Sequence, residues 1–429
     1  MPRETKNDGK DGRTVTVGLD GVPYPLLSSL IDQEITPKMG KLAREGTFRE
    51  MRSSLPAISS VSWSSIITGE NPGTHGVFGF TEIIPGTYTL SFPNFLSLQA
   101  SPFWTREGQR RRVIINVPFT YPAQELNGAL ISGFVAPELE KAVYPKKLLP
   151  KLKEMDYKID ADSGKAHKSK ELFLEELFDV LEARIETYRW LWDKYEWDDF
   201  YLVFTGTDRL MHFFWDSFAG EGDYGEEFFA FFSRIDEALG EIYSRLEDGD
   251  LFTVISDHGF ESVRSAVNLN TYLAKEGLLE VESAAEGNLN YNDLTPSTEA
   301  LVLDPGRVYL HKKDRFPAGS VKEEEEERLI GELEEAFAQL RYEGEKVIEE
   351  IFHKEEIYSG KRLDRAPDLL LLEKEGFDLN GGLGKEEVFS SEPFTGKHSY
   401  PDAIFLQNRE LEIEGDISVE DVLTLSGLD

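Results

Sequence analysis

The chain of 429 residues contains no cysteine at all. That excludes disulfides, thiolate metal sites and a cysteine nucleophile, so any metal must be held by histidines and carboxylates. Long apolar runs are missing too. Nothing approaches the roughly 20 consecutive residues needed to span a bilayer. The first residues, Met1–Arg13, are polar and charged, with no apolar signal segment. The expectation is a cytoplasmic protein with no membrane association. Basic residues are scarce: 46 stand against 80 acidic ones, a formal net charge of −34. Binding to the outside of nucleic acid, which depends on Lys and Arg, is therefore not expected. An anionic substrate would meet long-range repulsion unless cations lie in its site. Histidine is also sparse, with seven in all, which keeps the search for metal ligands short.

What the chain does have is a set of short apolar runs that end in metal-ligand types. Candidate core strands are Thr14–Leu19, Arg112–Val117, Gly128–Phe134, Phe200–Thr207, Leu251–Ser256, Asp368–Leu372 and Ala403–Leu406. Most are continuous apolar runs, as strands buried on both faces are. Between them, Glu171–Trp192 and Glu226–Leu246 repeat apolar residues at helical spacing, and their aromatic stripes read as core packing. Strands alternating with helices predict an α/β domain with a mainly parallel sheet. The stretch from Ser262 to Arg365 differs. It holds a polar patch at Glu282–Ser297, a strand-like Glu299–His311 and a helical Val321–Arg341. The expected organisation is a polar tail over 1–13, a first core part over 14–261, an inserted cap over 262–365 and a second core part over 366–429.

In open α/β sheets, ligands gather beyond the carboxyl ends of the strands. Asp257 and His258 close the run Leu251–Ser256, and Gly259 after them suggests a sharp turn. Asp20 ends Thr14–Leu19. Asp208 follows Phe200–Thr207, and His212 lies four residues on, on the same face of any helix starting there. His398 lies downstream in Gly396-Lys397-His398. All six are the oxygen and nitrogen donors that borderline divalent metals take. Any one of them alone reads more simply as a cap or a packed side chain. The recurrence at strand ends favours a metal site. Seven serines lie between Ser53 and Ser65, ahead of or within a probable helix to Thr68. A hydroxyl at the start of that helix would sit at its positive end, where phosphate also binds. Composition does not choose among the seven.

Six fragments in order resemble the alkaline phosphatase superfamily, most closely its type I phosphodiesterase/nucleotide pyrophosphatase-like branch of phosphohydrolases and phosphomutases. They are VGLDG at Val17–Gly21, PAISSVSWSSIITGENPGTHGVFGF at Pro56–Phe80, TGTDRLMHFFW at Thr205–Trp215, VISDHGF at Val254–Phe260, APDLLLL at Ala366–Leu372 and TGKHSYPDAIF at Thr395–Phe405. The resemblance implies an α/β/α sandwich and two divalent metal ions, zinc as the usual family metal with manganese as the alternative. Asp208, His212 and His398 would hold one ion, and Asp20, Asp257 and His258 the other. Counting back from Gly69 as the family motif does gives Ser59 as nucleophile, forming a phosphoserine. Ser60 and Arg209 are candidate phosphate-binding residues. The substrate would be a small phosphorylated molecule, a phosphodiester or phosphomonoester. Alternatives are a phosphoglycerate mutase-like phosphomutase using the same site and a non-catalytic metal- or phosphate-binding protein. One departure stands out. Nucleotide pyrophosphatases of the family carry an Asn where this chain has Phe80, which removes one support for diester chemistry. No Cys/Ser-x-Pro-x-Arg sulfatase signature is present.

Overall fold

A computed structural model describes residues 12–106, 110–282, 289–391 and 393–428. The polar tail thus lies almost wholly outside the described residues, as does 283–288 of the polar patch.

The central sheet has eight strands in the order Thr47–Met51, Ala403–Gln407, Leu251–Ile255, Thr14–Leu19, Asp199–Phe204, Arg112–Val117, Gly128–Ser132 and Val143–Tyr144. The five inner strands run parallel, and the flanking pairs are antiparallel. Period-two alternation divides their side chains between two faces. Val15, Val17 and Leu19 pack with the helices Tyr24–Asp32, Lys170–Lys194 and Gly225–Ser244. Ile114, Tyr201, Val203 and Ile255 pack on the other side with Trp63, Ile66 and Ile67 of the helix Ser59–Thr68. The result is an α/β/α sandwich with a mainly parallel sheet.

Register places the site. Gly18 pairs with both Val203 and Ile255. Three neighbouring strands therefore run out at the same level, and Asp20, the start of the helix Gly206–Phe218, and Asp257 emerge along one edge.

A second core surrounds a smaller antiparallel sheet, ordered Ala300–Leu303, Arg307–Leu310, Leu369–Glu373 and Ile348–His353. Leu329, Leu333 and Phe337 of the helix Glu323–Gln339 cover it. Two expectations are corrected here. The strand-like Glu299–His311 is a pair of strands, because Asp304-Pro305-Gly306 turns the chain between them and Gly306 takes a positive φ of 56°. The strand expected in the core at Asp368–Leu372 instead joins this smaller sheet, beyond residue 365, pairing with Arg307–Leu310 and Ile348–His353. Its apolar run fits a buried position in either sheet, and only partner pairing decides between them.

Candidate active site

Asp20 follows its strand, and Gly21 turns the chain away with φ 73°. The Asp20 carboxylate is buried and accepts from Trp63 Nε1 at 3.1 Å, while Thr207 Oγ1 donates to the Asp20 carbonyl at 2.6 Å. Asp257 Oδ1 accepts from Gly21 N–H at 3.1 Å. Its other oxygen, Oδ2, is buried with no hydrogen-bond partner among the described residues, 3.3 Å from His258 Nε2. Asp208 and His212 share a face of the helix Gly206–Phe218, with Asp208 Oδ1 3.4 Å from His212 Nε2. His398 lies on the strand Gly396–Ser399, which pairs antiparallel with Gly259–Ser262, putting His398 opposite Phe260. This pairing carries His398 to His258, and their rings stack at 3.8 Å between centroids.

Gly259 has a different role from the one expected. It does not take a positive φ. A β-carbon there would fall 1.9 Å from Asp402 Oδ1 and 2.5 Å from Ser399 Oγ, so the position needs space, not turning freedom.

The three histidines are oriented alike. His258 Nδ1 bonds the Gly259 carbonyl at 3.0 Å, His212 Nδ1 the Gly396 carbonyl at 3.0 Å, and His398 Nδ1 the Ala57 carbonyl at 3.2 Å. A carbonyl only accepts, so each Nδ1 carries the proton and each Nε2 presents a lone pair. These lone pairs point at one another and at carboxylates. His212 and His398 Nε2 lie 3.1 Å apart, and His398 Nε2 lies 3.0 Å from Asp208 Oδ1. So many acceptors in mutual contact, with Asp257 Oδ2 unpartnered among the described residues, make a cluster that could hold cations. Ring nitrogens tied back to carbonyls are also how metal-ligating histidines are fixed. The donor set suits divalent metals of the zinc type. Two three-donor groups, Asp20/Asp257/His258 and Asp208/His258/His398, each have ligand atoms within 4.8 Å of one another. His212 adjoins the second through the contacts above, so all six residues meet.

Electrostatics agree with this reading. Burial, then the neighbouring charges of Asp257 and Asp208, push the Asp20 carboxyl well above the usual range. Burial lifts Asp257 to about 7. It lowers His258 to about 4, and with help from His258 it lowers His398 to about 4. Burial would also raise Asp208, but His212, His398 and Arg209 outweigh it and hold that carboxyl well below its ordinary value. Acids reluctant to ionise beside bases reluctant to protonate are groups that a bound cation would relieve.

Ser59 is the first residue of its helix. Its Oγ lies 3.3 Å from Asp20 Oδ1 and 3.2 Å from His258 Nε2. The N-cap residue, Ile58, offers no side-chain cap, and while Val61 N–H already bonds the Ile58 carbonyl, the N–H groups of Ser59 and Ser60 are left for an anion. Ser60 Oγ is buried without a partner among the described residues. The other serines are engaged elsewhere. Ser53 bonds Ser62 and the Asp257 carbonyl, Ser54 bonds Ser65 and Glu420, and Ser64 bonds the Ser60 carbonyl. Arg209 donates from Nη1 to Asp208 Oδ2 at 3.1 Å, with its guanidinium 4.4 Å over the Phe134 ring. Phe80 meets Phe134 edge-on and lines a cavity of about 270 Å³ with His212, Phe394, His398 and residues of the smaller domain such as Leu370 and Asp378.

Four other histidines stand apart. His75 is buried between Ser65 and Val77, with burial lowering it to about 3. His311 is held by Tyr88 and Thr298, His353 by Glu334, and His167 is exposed beside Phe213. Sequence reasoning missed Trp63, Thr207 and Asp160. The first two fall inside the quoted fragments. Asp160, which binds Arg209, lies in a loop with no motif.

The sequence model of the family described as type I phosphodiesterase / nucleotide pyrophosphatase matches residues 14–401. No curated protein matches the chain. Among solved structures, phosphonoacetate hydrolase from Sinorhizobium meliloti 1021 in complex with phosphonoformate is similar over 97% of this chain and 95% of its own, at 14% identity and a TM-score of 0.63. Murine ectonucleotide pyrophosphatase / phosphodiesterase 5 is similar over 96% and 93%, at 14% identity and a TM-score of 0.54. At such identities the likeness is one of fold. No helix among the described residues is long and apolar enough to cross a membrane.

Proposed function

The chain belongs to the type I phosphodiesterase / nucleotide pyrophosphatase family and is a phosphoester hydrolase, and from that premise we propose that it cleaves small phosphorylated substrates through a phosphoserine on Ser59. The observation that carries this reading is the position of Ser59 Oγ, at an uncapped helix start and within 3.3 Å of both Asp20 and His258. A serine hydroxyl is a poor nucleophile at neutral pH without activation.

Asp20, Asp257 and His258 would hold one divalent ion and Asp208, His212 and His398 a second, zinc fitting this donor set best and manganese being the alternative. The ions would supply Lewis-acid stabilisation of charge on the entering and leaving oxygens. The chain's own groups do the rest. Trp63 and Thr207 fix Asp20, and the Gly259, Gly396 and Ala57 carbonyls fix the three imidazoles. Ser59 Oγ gives up its proton towards Asp20 Oδ1, to which it donates, and attacks phosphorus in line as the ester oxygen departs and is protonated by water. The Ser60 N–H and Arg209 take up charge on the equatorial oxygens. Water then hydrolyses the phosphoserine and frees Ser59. The cavity beside His212 and His398 receives the substrate's organic group, so the smaller domain helps choose the substrate.

The test uses Ser59→Ala and His258→Ala in the metal-loaded protein with a panel of mono- and diesters. Ser59→Ala is expected to abolish turnover while keeping about two metal ions per chain. His258→Ala should lose metal and activity together. Full activity in Ser59→Ala would refute the phosphoserine. Isomerised product without free phosphate would move the assignment to a mutase.

A further inference from the structure

Asp160 belongs to none of the fragments that identify the family, yet it is built into the site. Its Oδ2 accepts from both Arg209 Nε, at 2.9 Å, and Arg209 Nη2, at 2.7 Å. Thr205 Oγ1 donates to its Oδ1 at 3.4 Å. The third nitrogen of Arg209, Nη1, donates to Asp208 Oδ2, and the face of the guanidinium rests on Phe134. Carboxylates on two edges and an aromatic ring beneath hold the group in place. Its side chain is 18% exposed, and those of Asp160 and Asp208 are 14% and 6% exposed.

A guanidinium has five N–H groups. The hydrogen bonds among the described residues engage one on each nitrogen, leaving one on Nη1 and one on Nη2. Asp208 Oδ1 faces His212 and His398, so the Nη1 edge lies beside the ligand cluster. The neighbouring wall, Phe80 against Phe134, contributes no hydrogen-bond donor. A phosphoryl group between the cluster and this wall would find a cationic side-chain donor in Arg209.

We propose that Arg209, locked by Asp160 as a positioning residue, binds a non-bridging phosphoryl oxygen and tunes this site toward doubly charged phosphomonoesters over singly charged diesters. A monoester near neutral pH carries close to two charges on three terminal oxygens. A diester carries one charge on two. A fixed guanidinium gains more from the dianion, because charge-assisted bonds strengthen with the charge on the acceptor. The inference rests on the phosphoester reading above and narrows its substrate class.

The test measures binding as well as turnover. Orthophosphate, a dianion at pH 8, and dimethyl phosphate, a monoanion, are titrated calorimetrically into zinc-loaded full-length protein. The variants are Arg209→Ala, Arg209→Lys and Asp160→Asn. Arg209→Ala is expected to weaken orthophosphate binding about 30-fold and dimethyl phosphate less than about threefold. Lysine should recover part of the loss. Asp160→Asn should cost about fivefold with orthophosphate alone, a split that loss of folding would not produce. The same split is expected in kcat/KM between 4-nitrophenyl phosphate and its bis ester. Equal losses on the two probes, or no orthophosphate binding by the unaltered protein, would overturn the proposal. Absence of turnover on both esters would sink the hydrolase reading instead, leaving the binding comparison to decide on Arg209.

Discussion

At the scale of residues, the site is a problem of orientation. Candidate ligands were legible because acids and histidines recur at or soon after the ends of apolar runs. Which serine faces the candidate ligands was not legible from composition, since seven lie within thirteen positions and serine is also a common helix cap. The structure gives Ser54, Ser64 and Ser65 partners away from the candidate ligands and pairs Ser62 with Ser53, which reaches only the main-chain carbonyl of Asp257, while Ser59 Oγ faces the side chains of Asp20 and His258. Trp63 is the least obvious participant, with the look of core packing but an indole N–H committed to Asp20. Trp63→Phe keeps most of the packing and removes that bond. Metal affinity of the group containing Asp20 is expected to fall about 10-fold or more, with the Asp208 group unaffected, as read by competitive chelator titration. Two sites weakened alike, or neither weakened, would count against this role.

At the scale of elements, strand pairing does what sequence proximity does not. His258 and His398 are 140 positions apart, yet Gly259–Ser262 and Gly396–Ser399 pair and bring them to stacking distance. The two strands are pinned near Asp402, which accepts from Ser399 Oγ at 2.5 Å and crowds Gly259. Burial, with smaller contributions from Glu261 and Glu50, lifts the Asp402 carboxyl to about 6 despite the Ser399 bond. Its folded pKa is thus above its unfolded value of about 3.9. The stability this group contributes is full below about pH 3.9 and is lost as pH rises through 6. Asp402→Asn should therefore be more stable than the parent at pH 8, by up to about 3 kcal/mol, and similar to it at pH 4. Denaturant melts at the two pH values check this, and an equal effect at both would refute it. The short helix-and-strand spans were legible from period and length. The Glu299–His311 split was signalled locally by Asp304-Pro305-Gly306, a turn sequence inside an apolar run, and reading the run by its apolar content alone passes over it.

At the scale of the molecule, the two cores are tied together through the segment that follows the Ser59 helix. Tyr88 packs in the smaller core and bonds His311, Glu82 pairs with Arg365, and Arg307 donates to the Thr81 carbonyl. The cavity beside His212 is framed from both sides as a result. The net charge of −34 surrounds a site that must admit anions. Screening shortens the reach of that repulsion, with the Debye length falling from about 30 Å at 0.01 M to about 8 Å at 0.15 M. For a phosphoester substrate, kcat/KM should rise severalfold as sodium chloride goes from 10 to 150 mM, flattening above that. A steady fall over the same range would show that local cations, not the overall field, govern encounter.

The sequence by itself determined an α/β domain with a mainly parallel sheet, six candidate ligands and the exclusion of cysteine chemistry, because alternation of apolar runs and residue chemistry are local properties, and the family resemblance added the sandwich. Only the tertiary structure decided that Ser59 faces the cluster, that the Leu369–Glu373 strand serves the smaller sheet, that Gly259 is needed for space, and that Asp160 clamps Arg209. Each of these depends on which distant groups meet. A chain's local pattern is the same whichever partner it finds, so pairing across long sequence separations had to settle them.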